Sequence, residues 1–490
     1  MMHTWFIPAL VLAGIGVRLV IYFVLSWQKA LKARRLGCEE APLYPSKDPF
    51  GVSNLLDTLL YCRSHGRYIS TFRIRQPGKE SIFTADPKNI QVMLATQFND
   101  FGLGDVRRNV GDPLVGRGIF TTDGEAWSHS RSLLRPQFTR TQVSNLDMEE
   151  RHVQNAMRAL PVLSNGWTRE FLFGKSCDSQ LSAVKTDGSR DSDNFLYGFD
   201  RSVWYLSERL RFDKFYWLVD NREFRESIRM VHAFVDRYVK SVLERQAGDA
   251  KPTDSGTSTS QYVFLEALAA SSKDPLQLRY ESLNVLLAGR DTTASLLSWA
   301  VLILACRPDI FSRLRRDIVE QFGTYRMPRD MTFASLKSCQ YLQHFINETL
   351  WLYPVVPFNR RCALRNTTLP SGGGKDGSSP IYVPKGQQVL YGSYALQRRK
   401  DIWGDDAEEF NPDRWIGRKV TWEYIPFNGG PRTCIGQQFA LIKTSYVLVR
   451  LLQRFDSIED VHAGWEVRYN ATLTSAPADP VTVRLHEADD

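Results

Sequence analysis

The stretch Phe427-Asn428-Gly429-Gly430-Pro431-Arg432-Thr433-Cys434-Ile435-Gly436 decides how the chain is read. An aromatic residue opens it, a Gly-Gly-Pro turn comes next, and one cysteine stands just ahead of the apolar run Phe439-Ala440-Leu441. Glycine and proline set up sharp turns, so the next side chain can be aimed at something approaching closely. Arg432, two residues before the sulfur, offers a cation for an anionic group and a field that favours thiolate. Gly436 leaves room for a flat ligand against the chain. A lone cysteine at a turn is more often a buried core residue than a ligand. The whole pattern F-x-x-G-x-R-x-C-x-G is far more specific than its cysteine.

The totals bound the rest. At 490 residues, 43% hydrophobic and 12% aromatic, the chain can bury a substantial core, as one large domain or two to three average ones. A net charge of +8 suits nucleic acid, an anionic membrane or an acidic protein partner. No Lys/Arg run of nucleic-acid type occurs in the body of the chain, so nucleic acid is set aside and the other two are preferred. Seven scattered cysteines make neither a disulfide framework nor a zinc spacing, which suits a body facing reducing cytosol.

Residues from Trp5 to Trp27 form an apolar run, and about 20 such residues cross a bilayer. Lys29, Lys32, Arg34 and Arg35 come directly after it, which places the body in the cytosol. A cleaved signal peptide is the alternative, but the span is long and its basic cluster lies on the wrong side. Arg18 inside the run is expected to snorkel or to sit near a tilted end. Pro42, Pro45 and Pro49 make a stiff connector. The expected layout is therefore an anchor over 1–28, a basic and Pro-rich hinge over 29–50 and a globular body over 51–490. Alternation in Ser70–Ile74 and Ser81–Thr84 predicts a small sheet, and helical spacing dominates the chain beyond it. The Gly/Ser-rich stretches 248–260 and 371–379 predict loops rather than domain boundaries.

Three further stretches carry chemistry. Trp127 and Arg131 stand four apart, on one face of a predicted helix. Residues Pro275 to Cys306 predict one long helix with Ala288-Gly289-Arg290-Asp291-Thr292-Thr293 at its middle. A glycine and two threonines are poor mid-helix choices: the hydroxyls bond back to carbonyls, and the glycine allows a local opening. A kinked core helix with a satisfied Asp is the plainer reading. Glu348, in Asn347-Glu348-Thr349-Leu350-Trp351, has Arg414 downstream of it in Phe410-Asn411-Pro412-Asp413-Arg414-Trp415. The aromatic stripe over 195–245 suits core packing or an access channel.

Taken together, these stretches resemble the cytochrome P450 monooxygenases. The resemblance implies a mainly α fold with a minor β region, preceded by a single N-terminal transmembrane helix. It implies haem b, with Cys434 as thiolate ligand to the iron and metal site, framed by Phe427, Arg432 and Gly436. Trp127 and Arg131 match the family's W-x-x-x-R helix and would bind a haem propionate, as would Arg361, with its neighbour Arg360 the alternative. Thr292 would hold the hydrogen-bond network at the dioxygen site, and Asp291 would feed protons toward it. Glu348 and Arg414 would form a structural pair. Implied partners are NADPH–cytochrome P450 reductase, cytochrome b5, an apolar small-molecule substrate and the endoplasmic reticulum membrane, with the catalytic domain cytosolic. Phe101–Gly104, Gly118–Thr121, Leu133–Phe138 and Phe427–Gly430 look like the fungal branch that hydroxylates n-alkanes and fatty acids, often at the terminal carbon.

Two departures stand against that pattern. The family's E-x-x-R helix arginine is replaced by Trp351. A buried carboxylate stripped of a partner costs roughly 3–5 kcal/mol. Either Arg414 holds Glu348 alone, or the product is haem-poor and impaired; on the second reading, Trp351→Arg raises haem occupancy. The chain is also expected to lack a helix near 160–175, where a short link replaces about 10–14 residues. An oxygen-independent isomerase or dehydratase is a second enzyme reading, and Asp291 with Thr292 argues against it.

Overall fold

Backbone pairing places the predicted small sheet. In the computed structural model, which describes residues 6–44, 69–76, 79–144, 146–158, 190–248, 264–461 and 467–489, Thr71–Gln76 pairs antiparallel with Lys79–Thr84. Phe72 stacks on Phe83 at 4.9 Å between ring centroids. The next strand, Gln388–Gly392, runs parallel to Lys79–Thr84 and leads on to Phe358–Ala363 and Phe101–Gly102, giving five strands. Buried Asn89 bonds both Thr71 and Thr84 through its amide nitrogen, at 3.2 and 3.1 Å, and so pins the paired threonines. The Gly-rich stretch expected as a loop turns a hairpin between Thr367–Gly373 and Ser379–Val383. These elements belong to one compact unit, Met1–Gly102 with Asn359–Leu396.

The same unit carries a continuous helix over Phe6–Arg35, where the membrane anchor is expected. Many of its side chains lie outside the described set, and no single helix among the described residues is long and apolar enough to cross a membrane. Pro45, Pro49 and the shortened segment near 160–175 also fall outside the described residues.

The second unit, Leu103–Phe358 with Gln397–Asp490, is mostly helical. Its axis is the helix Pro275–Cys306, begun by a proline in the first turn and by Asp274, whose side chain accepts the Leu276 amide. Leu278, Leu283, Leu286, Leu296, Ala300 and Leu304 are buried along it. Helices Arg190–Phe212 and Arg222–Ala247 pack on one another through Phe195 and Phe234, stacked at 4.2 Å. Two short two-stranded sheets, Phe455–Asp460 with Val483–Glu487 and Tyr469–Ala471 with Ser475–Pro477, complete the unit.

The segment Gly116–Thr122 shows how tightly the helices are joined. Thr121 donates to the Gly116 carbonyl at 2.6 Å, and Thr122 to the Gly118 carbonyl at 2.8 Å. Asn284 on the long helix donates to the Val115 and Tyr280 carbonyls at 2.9 and 2.7 Å. A Cβ on Gly118 would stand 2.2 Å from the Asn284 amide nitrogen, so Gly118→Ala displaces that side chain from both carbonyls. The expected loss is about 1–3 kcal/mol, measured as a lower urea midpoint with unchanged slope; an unchanged midpoint contradicts it.

Candidate functional site

The loop around Cys434 closes on itself. The Cys434 amide donates to the Phe427 carbonyl at 2.9 Å, and the Thr433 amide to the Gly430 carbonyl at 3.0 Å. Asn428 and Gly430 take left-handed backbone, with φ of 65° and 66°, which the turn needs. Gly429 lies so close to Trp422 that a Cβ would stand 2.4 Å from its ring. Gly436 has the expected room, since a Cβ there would meet nothing nearer than Phe138 at 3.8 Å. The buried helix Gln437–Arg454 begins directly after it.

The Cys434 side chain presents accessible surface while protein surrounds it. Burial pushes its thiol pKa up, and the Gly436 amide and the nearby charge of Arg131 pull it back down. A helix N-terminus and a cation are what a buried thiolate requires. The cation facing the sulfur is therefore Arg131, not Arg432 as the sequence suggested. Arg432 is already neutralised: its guanidinium donates to Asp123 at 2.7 Å and to the Thr122 carbonyl at 2.9 Å. The same guanidinium lies 4.4 Å from the buried Trp127 ring, and Arg131 lies 5.8 Å from that ring. Arg131 also donates to the Thr433 carbonyl at 3.0 Å. Trp127, Arg131, Arg432 and Cys434 are thus brought together.

Asp123 was missed. Its place just ahead of the helix Gly124–Leu134 has the look of a helix cap, yet it makes no cap bond. Its carboxylate instead accepts the Leu103 amide at 2.9 and 3.0 Å and pairs with Arg432.

The long helix runs through Ala288–Thr293 without a break, so the expected opening is not a gap in the helix. Thr292 donates to the Ala288 carbonyl at 2.7 Å, as a mid-helix threonine does. Burial raises the pKa of Asp291, against the opposing charge of Arg290 3.4 Å away, with Asp200 adding to the rise. Ten residues earlier, Glu281 is buried and accepts from Ser130 at 2.6 Å, linking this helix to the one that carries Trp127 and Arg131. Desolvation pushes the Glu281 carboxyl up to about 7, and the Ser130 bond opposes it.

Glu348 is fully buried, and both oxygens are engaged. One accepts the Asn411 amide at 2.7 Å and Arg414 Nε at 3.3 Å; the other accepts the Trp415 indole N–H at 2.8 Å. Arg414 also donates to Asp406 at 2.9 Å and to the carbonyls of Asp406 and Glu409. Desolvation still pushes Glu348 up to about 7. Arg361 belongs to the other unit, where it is buried, donates to the Arg360 carbonyl at 2.9 Å and lies 5.6 Å from the Tyr391 ring.

Comparison with known proteins decides the family: residues 58–463 match the model of the family described as Cytochrome P450. The chain is a cytochrome P450. It is 46% identical to cytochrome P450 monooxygenase g430 of a Fusarium species, over 98% of this chain and 89% of the relative. Identity is 39% to cytochrome P450 monooxygenase alt2 of Alternaria solani, over 96% of each chain. Cytochrome P450 52A10 of Candida maltosa is 44% identical, over 83% of this chain and 82% of its own. The first alignment spans 515 positions, more than the 490 residues here, so that relative carries residues without counterpart in this P450.

The fold expected of a P450, mostly helical with a minor sheet, is the one observed, and the cofactor of the family is haem with iron and a cysteine thiolate. The residues fit that group. An exposed cysteine is offered with the Gly436 amide at a helix N-terminus and a guanidinium to support a charge on its sulfur.

A carboxyl raised from 4.5 to about 7 binds its proton more tightly folded than unfolded. Its contribution to stability is complete at acid pH and is lost as pH rises through about 7. Glu281→Gln, which keeps an acceptor for Ser130, should therefore flatten the fall in stability between pH 5 and pH 8 by on the order of 2–3 kcal/mol. Urea unfolding at both pH values checks this, and an unaltered slope contradicts it.

Proposed function

We propose that this P450 is a membrane-anchored haem-thiolate monooxygenase acting on a long-chain alkane or fatty acid, at or near its terminal carbon. The observation that carries the reading is Cys434, an exposed cysteine whose sulfur is supported by the Gly436 amide and the charge of Arg131. Cys434 would hold the haem iron through its thiolate. Phe427 accepts the Cys434 amide and holds the loop, and Gly436 keeps the face beside it clear. Arg131 would donate to a haem carboxylate from its planar, permanently charged fork, and Trp127 through its indole N–H; Arg432, already paired with Asp123, would have only its remaining donor capacity for this role, and Arg361, in the other unit, is proposed from the sequence resemblance alone. When bound, haem supplies dioxygen activation and oxygen insertion into an unactivated C–H bond.

Protons from solvent would be relayed by this chain. Asp291, its pKa raised by burial, holds a proton more readily than an exposed aspartate and takes it up beside Arg290. Thr292 has its hydroxyl hydrogen committed to the Ala288 carbonyl, which leaves its oxygen to accept a hydrogen bond. Glu348 and Arg414 serve as the structural pair, and the donors on both Glu348 oxygens count against an impaired, haem-poor product.

Electrons come from NADPH through a membrane reductase, with cytochrome b5 a second donor, and the net charge of +8 suits an acidic docking face. The apolar run from Trp5 to Trp27 and the basic cluster after it support an anchor over 1–28, a hinge over 29–50 and a cytosolic body over 51–490 at the endoplasmic reticulum membrane. The narrow channel that terminal attack requires is consistent with the four stretches resembling the fungal branch.

The reduced, carbon-monoxide-treated protein should show a thiolate-ligated Soret band, and Cys434→Ala should abolish it; an unchanged band in the variant overturns the ligand assignment. With reductase added, NADPH consumption should rise on addition of long-chain alkanes or fatty acids. A thiolate band without such consumption points to the oxygen-independent reading instead.

A further inference from the structure

The side chain that replaces the helix arginine is placed where it can do something an arginine cannot. Trp351 has no exposed surface, and the Arg414 guanidinium lies 4.2 Å from its ring centroid. The Arg414 side chain is 3% exposed, so the face of the indole holds a cation removed from water, where such contacts are strongest. The Trp351 indole N–H has no hydrogen-bond partner among the described residues, which leaves its ring face as the functional surface.

The ring belongs to a chain of aromatics that leads to the cysteine loop. Trp351 meets Trp403 at 5.1 Å, Trp403 meets Trp415 at 6.0 Å, and Trp415 meets Tyr424 at 4.6 Å between centroids. Trp415 is the residue whose N–H holds Glu348. The Tyr424 hydroxyl bonds Asn347, next to Glu348, through that residue's carbonyl at 3.1 Å and side-chain oxygen at 3.2 Å. Three residues after Tyr424, Phe427 accepts the Cys434 amide. A second guanidinium, Arg418, lies 4.1 Å from the Trp403 ring. An arginine at 351 would add a third cation to a cluster in which Glu348 is the one fully buried carboxylate and Asp406 is 41% exposed. The space is therefore suited to an aromatic face and unsuited to another positive charge.

We propose that Trp351 is a positioning residue: its indole face holds Arg414 in place of the missing guanidinium and, through Trp403, Trp415 and Tyr424, fixes the segment entering the Cys434 loop. The proposal rests on the family reading for its spectroscopic arm and on geometry alone for its stability arm. It also reverses the expectation that an arginine at 351 improves the protein.

The test compares Trp351→Phe, Trp351→Leu and Trp351→Arg in the full haem-loaded chain. One readout is the urea midpoint; the other is the share of the reduced carbon-monoxide complex in the thiolate band rather than the neutral-thiol band. Expected is wild type above Phe, and Phe above Leu, in both readouts, with Leu costing roughly tenfold or more in the folding equilibrium. Arg should fall below wild type in both. In a double-mutant cycle the Trp351→Leu loss should shrink once Arg414→Met has removed the cation. A Leu variant equal to wild type, an Arg variant with more thiolate band than wild type, or an additive cycle overturns the proposal. A Phe variant that fails to fold alongside Leu overturns it too, because a ring face would then not suffice; Leu failing while Phe folds supports it. If wild type itself lacks the thiolate band, the functional reading fails, and the stability cycle still decides the role of Trp351.

Discussion

A single backbone hydrogen bond, from the Cys434 amide to the Phe427 carbonyl, closes the loop on which the site depends. Closing it brings the sulfur to the start of the helix Gln437–Arg454, within reach of the Gly436 amide and the field of Arg131. A thiolate surrounded by protein is costly, and these two contributions oppose that cost. The other nearby cation has to be silenced, because two free guanidiniums on one indole would repel. Asp123 does this by pairing with Arg432, and its remaining capacity goes to the Leu103 amide.

The same constraint recurs along the chain. Glu348 is held by a peptide N–H, an indole N–H and Arg414, and an indole face supports that arginine from below. Further along the helix that begins at the cysteine loop, Lys443 forms a buried ion pair with Glu149 of the helix Asp147–Arg158, and burial drives the Lys443 pKa well down. Arg450 and Tyr446 of the same helix both donate to Glu150. Glu281 is held by one hydroxyl donor, from Ser130. Partners for buried charge, more than apolar contact alone, define how this helix is clamped and where the loop before it points.

Much of this was legible in the sequence because it is local. The turn glycines, the cysteine and the Trp127–Arg131 spacing lie within a few residues of one another, and alternation marked Thr71–Gln76 and Lys79–Thr84. The partnerships that needed long-range closure were not legible. Arg432 stands beside the cysteine in sequence, yet its charge belongs to Asp123, more than 300 residues earlier. Asp123 had the signature of a cap and is not one. Trp351 looked like a lost arginine, since nothing in its neighbourhood announces that Arg414 will lie on its face. Ser130 and Glu281 carry no motif, and only the crossing of two helices makes them a pair.

The central claim is that iron in this protein is bound by the sulfur at position 434. X-ray absorption at the iron edge tests it most directly, on the full chain with every cysteine except Cys434 replaced by alanine. The predicted result is a sulfur scatterer in the first coordination shell of iron alongside the porphyrin nitrogens. A shell of nitrogen and oxygen alone would contradict it.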